Sequence, residues 1–420
     1  MSKLCILKNK LGLKKNLIID SSGEQVLLTD STPSDCLIYG GNEYVYPGRC
    51  LEELLTLCGD EIQTFPKRKY INEFISTGYK GSIEEVPWRF VFPKHEYDSY
   101  VKELINECKT KYSQVEKQIE FDYYKNIFAK TSEIFKYIQV AHINKEKYEE
   151  CLLLSHNNDK VLKFRPSNCG FADLPIYSKV KSRTGRTTIT SGPNILLLDK
   201  KYRKILDSRF GKDGTVIQLD YKSLEPRVML ALSTKYAFAQ VEDIYKDVIR
   251  EFELNISRDT IKTAVLAKLF GAGEEKLRGI LTGARANPID IINAVEQYFP
   301  FTEMKDVLNS FASQNNNKFI RNYYGRKINI EDSQEYVLLN YYIQSTSVDI
   351  ALMGFVRIMN EVSRCNLLEK IIPIFINHDA LFVDCHNDFL EELREIKNCG
   401  EINTFSLENI KFYIKMAELV

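Results

Sequence analysis

"IIPIFINHDALFVDC", residues 371–385, reads as buried strand, yet it stops for Asn377, His378 and Asp379 before returning to Ala-Leu-Phe-Val. An isolated buried carboxylate is costly unless it is paired, hydrogen-bonded or bound to a metal. Asp379 therefore asks for a partner elsewhere in the chain. "GTVIQLDYKSLEPRVMLALS", residues 214–233, offers one. Val216 to Leu219 reads as a strand that ends on Asp220. "SLEPRVMLALS" then reads as a helix, with Ser223 as its N-cap and Glu225 and Pro226 in its first turn. Two aspartates delivered by different strands can hold two divalent cations roughly 4 Å apart. Magnesium takes one or two carboxylates and completes its shell with substrate phosphates. Taken singly, each acid has a structural reading: Asp220 as a helix N-terminal acid, Asp379 as a turn residue.

A third segment decides between these readings. In "SRDTIKTAVLAKLFGAG", residues 257–273, Ser257 reads as an N-cap, and Arg258, Lys262, Leu266 and Phe270 recur every four residues. That spacing makes a slowly drifting stripe on one helix face. Two cations followed by two apolar groups suit a triphosphate at one end and a base at the other. Arg clamps phosphate bidentately; Lys supplies a point charge and a proton for a leaving pyrophosphate. Gly271 and Gly273 end the helix. Alone, the segment reads as an amphipathic helix with two surface cations.

The chain of 420 residues is long enough for two or more subdomains. Its 44% hydrophobic and 27% charged residues are those of an ordinary globular protein. No run of eighteen apolar residues occurs, and "MSKLCILKNKLGLKKN" lacks the apolar core of a signal peptide, so neither a membrane span nor export is expected. Ten scattered cysteines, none close enough to another for a zinc ribbon, read as reduced thiols in a cytoplasm, with the Lys-, Asn- and Ile-rich composition hinting at a bacterial or phage source. Net charge is zero, but residues 160–212 hold thirteen Lys or Arg against three Asp, a local +10. Such a strip reads either as a solvated face or as a grip on phosphates. Residues 1–95 carry short strand-like runs and read as a small accessory domain, α/β or mostly β. Residues 96–153 turn helical, 154–213 are loop-rich, and strands and helices alternate after Gly214.

In this order the three segments resemble motifs A ("DYKSLEPRV"), B ("RDTIKTAVLAKLFG") and C ("HDA") of family A DNA polymerases, the group of bacterial DNA polymerase I. "TGRTTITSGPN", "EDIYKDVI", "YYGRKINI" and "NYYIQSTSVDIA" resemble further segments of that family, so the likeness spans about 184–420. It implies an α+β right hand, with an antiparallel palm sheet bearing Asp220 and Asp379, helical fingers at about 240–320, and a reduced helical thumb and basic linker within 96–183. It implies two Mg²⁺ per site, with Mn²⁺ as a substitute, held by Asp220, Asp379 and the carbonyl of Tyr221. Arg258 and Lys262 would take the incoming dNTP, and Lys262 would also serve in catalysis. Leu266 and Phe270 would face the base, and Glu225 would crowd a ribose 2′-hydroxyl. Arg186, Arg326, Asn340, Gln344 and His378 would touch the primed DNA template. A monomer without proofreading, aided by a processivity partner, completes the expectation.

The chain departs from the family pattern at Ala380, where Glu is usual, at Leu266, where an aromatic ring stacks, and at Phe270, where a Tyr hydroxyl is usual. "IIDSSGE" holds Asp20 and Glu24 four apart, where a proofreading exonuclease needs Asp-x-Glu. Two rivals stand beside the polymerase reading. A single-subunit RNA polymerase would carry a small residue in place of Glu225. A catalytically dead DNA-binding scaffold would not need to keep Asp220, Asp379, Arg258 and Lys262.

Overall fold

The computed structural model describes residues 3–11, 14–20, 26–42, 45–64, 76, 88–155, 158–405 and 408–419. They form two units, Met1–Lys136 and Tyr137–Val420. The first contains a mixed sheet of β1 (Lys3–Ile6), β2 (Asn16–Asp20), β3 (Val26–Thr29) and β4 (Cys36–Tyr39) in the order β3-β2-β1-β4, with only β1 and β4 parallel. Helix α1 (Leu51–Cys58) turns four leucines inward and stops at Gly59, whose φ of 77° only glycine adopts freely. The long helix α2 (Lys94–Val115) belongs to this unit as well. Its Glu107 carboxylate accepts from the backbone N–H groups of Gln63 and Thr64, both at 2.7 Å. The division at 136/137 thus differs from the sequence boundaries at 95 and 183, because periodicity reveals a helix without revealing what it packs on.

The second unit is built on an antiparallel sheet of β5 (Gly214–Tyr221), β6 (Ile371–Asn377), β7 (Ala380–His386) and β8 (Ile414–Glu418), in the order β6-β7-β5-β8. Apart from Asp384, β6 and β7 are apolar on both faces and buried up to their last residues, Asn377 and His386. One face packs with Phe164, Tyr202 and Ile205. On the other, Tyr221 of β5 meets Phe355 of the long helix α8 (Leu338–Arg364), ring centres 5.7 Å apart. Pro373 is tolerated because β6 is an edge strand and bulges there. Between β5 and α8 lie α3 (Leu224–Ala231), α4 (Ile244–Glu251), α5 (Arg258–Leu269), α6 (Pro288–Tyr298) and α7 (Phe301–Gln314). Helices α4 to α7 fall within the stretch expected for the fingers, about 240–320.

One carboxylate in this unit is structural. Asp384 of β7 is fully buried and accepts from Ser208 Oγ at 2.7 Å, Arg209 N at 2.9 Å and Arg209 Nε at 3.2 Å. Removing one partner of a buried, fully satisfied pair strands the other charge. Asp384→Ala is expected to lower unfolding free energy by about 3 kcal/mol, measured by denaturant titration. A loss under about 1 kcal/mol would show that Arg209 finds water instead.

Candidate active site

The interrupted strand is a hairpin. β6 and β7 are joined by two residues, His378 and Asp379, with Asn377 paired to Ala380. His378 sits at φ 57°, a left-handed conformation that costs a non-glycine residue about 1 kcal/mol or more and that clusters at functional sites. Ala380 lies opposite Asp220 in the neighbouring strand, and Tyr221 N donates to Asp379 O at 3.1 Å. The two acids are therefore diagonal neighbours at one end of the sheet. Burial, then the charge of Asp379, pushes the Asp220 carboxyl up to about 6, while Lys262, Lys415 and Lys200 pull it down. Burial likewise holds Asp379 above the usual range. Burial, with Arg186 beside it, pushes His378 down to about 4, so its imidazole is neutral at physiological pH.

Tyr221 is aimed into the core. Its hydroxyl donates to Gly400 O at 2.7 Å, and a Cβ on Gly354 of α8 would lie 1.8 Å from that oxygen. The anchored ring fixes the backbone next to Asp220. Ser223 precedes α3, as expected, but it does not cap. It takes φ 54°, and its side chain bonds Tyr245 instead. The turn from β5 to α3 has only Lys222 and Ser223 to reverse the chain, and the left-handed residue completes it. Fully buried Arg227 braces the turn, donating to the carbonyl of Lys222 at 2.8 Å and to those of Ala239 and Val241.

Ser257 does cap α5, accepting from Thr260 N. Arg258, Lys262, Leu266 and Phe270 line a cleft of about 500 Å³ together with Asp220, Tyr221, Glu225, Asp379, Arg186, Gln344 and His378. Eleven of the thirteen residues singled out in the sequence are thereby brought together. The Arg258 Nε donates to Asp243, the N-cap of α4, at 2.7 Å, and its guanidinium lies over Tyr245, 5.0 Å from the ring centre. Its Nη1 lies 3.9 Å from the exposed Asp259 carboxylate, which leaves Nη2 for a ligand. Glu225 accepts from Arg186 at 3.0 Å. Gln344, oriented so that its nitrogen donates to Thr184 Oγ1 at 2.6 Å, accepts from Arg186 at 2.9 Å.

Arg326 and Asn340 do not line the cleft. Arg326 is 4% exposed, and its guanidinium donates to Lys179 O at 2.9 Å and Ser182 O at 3.4 Å. It holds the turn that carries Arg186; at Gly185 of that turn a Cβ would come within 2.8 Å of it. Asn340 is buried one helical turn before Gln344. The basic segment 160–212 is not one uniform strip either. Lys179 is buried, Lys204 pairs with Glu150 and Arg209 with Asp384. Tyr245, Ser347 and Lys415 also line the cleft and were not anticipated. Among the described residues no group of three His, Cys, Asp or Glu could hold a metal, and none of the helices is long and apolar enough to cross a membrane.

The sequence profile of DNA polymerase family A matches residues 105–408. The chain belongs to DNA polymerase family A. The family A chain is 26% identical over 244 residues to a DNA polymerase of Bacillus phage SP01, covering 51% of this chain and 26% of that protein. It is 27% identical over 188 residues to a DNA polymerase of Mycobacterium phage L5, covering 43% and 30%. It therefore spans less than a third of the length of these relatives. The POL domain of Pol1 from M. smegmatis, solved with a DNA primer-template and dNTP, superposes with TM-score 0.63 at 12% identity, over 99% of this chain and 95% of that one. The family A chain shares its fold.

Proposed function

We propose that this chain is a template-directed DNA polymerase that extends a primer 3′ end with deoxynucleoside triphosphates. The observation that carries this reading is the convergence of Asp220, Asp379 and the Arg258–Lys262–Leu266–Phe270 stripe on one cleft. Two half-buried acids, Asp220 raised by burial and by the charge of Asp379 and Asp379 raised by burial, fit a divalent cation, and Ala380 leaves the donor set at two carboxylates and the Tyr221 carbonyl. That set suits Mg²⁺, or Mn²⁺, whose remaining positions are filled by phosphate and water. Bound there, a cation pair supplies Lewis acidity to the primer hydroxyl and charge neutralisation to the phosphates.

The chain's own residues do the rest. Arg258 and Lys262 orient the triphosphate, so that the primer 3′ hydroxyl gives its proton to water and its oxygen bonds the α-phosphorus as the bond to pyrophosphate breaks. Lys262 delivers the proton to the leaving group. Glu225, held by Arg186, crowds a ribose 2′-hydroxyl; Phe270 lacks the hydroxyl that could have held it. Leu266 gives the base a smaller face than an aromatic ring. Arg186, Gln344 and His378 meet the terminal pair in the minor groove, whose acceptors vary little with sequence. Arg326 and Asn340 act behind them. The chain would work as a cytoplasmic monomer without proofreading, with a partner supplying processivity. Asp20 closes β2, while Glu24 lies outside the described residues.

Primer extension with Mg²⁺ and each nucleotide type tests the reading. Incorporation of dNTP but not rNTP supports it. Preference for rNTP would make the chain an RNA polymerase, and equal signals from wild type and Asp379→Ala would leave only a scaffold.

The raised Asp220 also sets a pH dependence. Its folded pKa of about 6 lies above the ordinary carboxylate value of 3.8. In the cation-free protein this group's stabilising contribution is full below the lower value and is lost as pH rises through the upper one. A divalent cation competes with that proton, so Mn²⁺ affinity should fall by about tenfold per pH unit below about 6. Titration calorimetry between pH 5 and 8 checks this; an affinity independent of pH would exclude Asp220 as a ligand.

A further inference from the structure

Five cations line the cleft: Arg186, Lys222, Arg258, Lys262 and Lys415. Three are engaged by carboxylates, Arg186 by Glu225 at 3.0 Å, Lys222 by Glu242 at 2.9 Å and Arg258 by Asp243 at 2.7 Å. Among the described residues, Lys262 and Lys415 form no ion pair. Lys262 belongs to the stripe already described. Lys415 lies in β8, past residue 408 where the family profile ends.

Its position follows from register. Lys415 stands opposite Asp220 on one side, as Ala380 does on the other. Residues paired across antiparallel strands project from the same face. Ala380, Asp220 and Lys415 therefore form one row across the sheet: a methyl group, a carboxylate and an ammonium group. Lys415 acts electrostatically on Asp220 but makes no ion pair with it, although the two are cross-strand neighbours. The side chain is exposed and lies along the same cleft as Arg258 and Lys262. An unpaired ammonium beside two acids, in a cleft walled by cations, is placed for an anion that also draws on those acids through a metal.

We propose that Lys415 is a third cation of the triphosphate site, binding the non-bridging oxygens of the β- and γ-phosphates and holding pyrophosphate after transfer. This rests on the polymerase reading above. With Arg258 tied to Asp243, Lys415 and Lys262 supply the mobile charge, one from the sheet and one from the helix.

The full chain carrying Lys415→Gln or Lys415→Arg tests this. KM for dNTP and kcat are read by primer extension, magnesium pyrophosphate binding by calorimetry without DNA, and primer-template affinity at fixed salt. Lys415→Gln is expected to raise KM and weaken pyrophosphate binding by about tenfold each, the scale of one charge-assisted contact. Primer-template affinity should stay within about twofold, and Lys415→Arg should stay near wild type. Unchanged KM and pyrophosphate affinity in Lys415→Gln would overturn the proposal, as would equal losses in both variants, since then charge is not what acts. A wild-type chain that extends no primer would sink the polymerase reading instead, and the calorimetry would still decide Lys415.

Discussion

Asp379→Ala is expected to lower primer extension by about 10⁴-fold while leaving the protein as stable as wild type or more so. The loss corresponds to the several kcal/mol of transition-state stabilisation that a correctly held cation provides. The stability follows from the turn. Tyr221 N donates to the Asp379 backbone carbonyl, not to its side chain, so that bond survives in alanine. Burial holds the Asp379 carboxyl above its usual range despite Arg186 and Lys262, so in the cation-free protein the ionised group opposes folding. Alanine removes that cost. Activity and thermal unfolding measured on the same preparation check both halves. If the variant were less stable by more than about 2 kcal/mol, the carboxylate would be a structural one of the Asp384 kind.

Asp379 and Asp384 show why the sequence was legible where it was. Both are acids inside apolar strand sequence, five residues apart. Asp379 falls where the run breaks for three polar residues, and a break of that kind marks a turn. Asp384 falls on a strand position whose neighbours stay apolar, and its partners Ser208 and Arg209 lie 176 and 175 residues away in the chain. Local pattern has no access to that distance. The stripe on α5 was legible for a similar reason to Asp379. Spacing of four on a capped helix determines which side chains share a face, and one shared face is all the site needs from that helix.

Direction was harder to read. Asn340 and Gln344 are four apart on α8, yet only Gln344 reaches the cleft, because a 27-residue helix extends well beyond the site it serves. Arg326 has the residue type of a DNA contact and the surroundings of a buried brace. Arg in a loop sequence does not declare whether it grips a ligand or the carbonyls of a neighbouring turn. The left-handed Ser223 and His378 had no glycine to announce them, since the demand for positive φ comes from the short connections on either side of the sheet end. Lys415 depended on strand register, which a single sequence does not encode until the partner strand is known.

Lys262→Ala is expected to lower kcat by about 10³-fold, and Lys262→Arg is the variant that explains why. Lys262 combines two roles that its neighbour Arg258 cannot. Its ammonium is unpaired among the described residues and acts on both Asp220 and Asp379, whereas Arg258 is tethered to Asp243. As a point charge it binds the triphosphate; as an ammonium it can give up a proton to the departing pyrophosphate. A guanidinium keeps the charge but does not release a proton in water. Lys262→Arg should therefore keep KM for dNTP near wild type and leave kcat about 10²-fold down, within the range ascribed to one general acid. Arg258→Ala should do the reverse, raising KM more than it lowers kcat. Steady-state kcat and KM for the three variants, with the pH dependence of kcat, separate the roles. Full recovery of kcat by arginine would reduce Lys262 to a phosphate clamp and pass the proton to water.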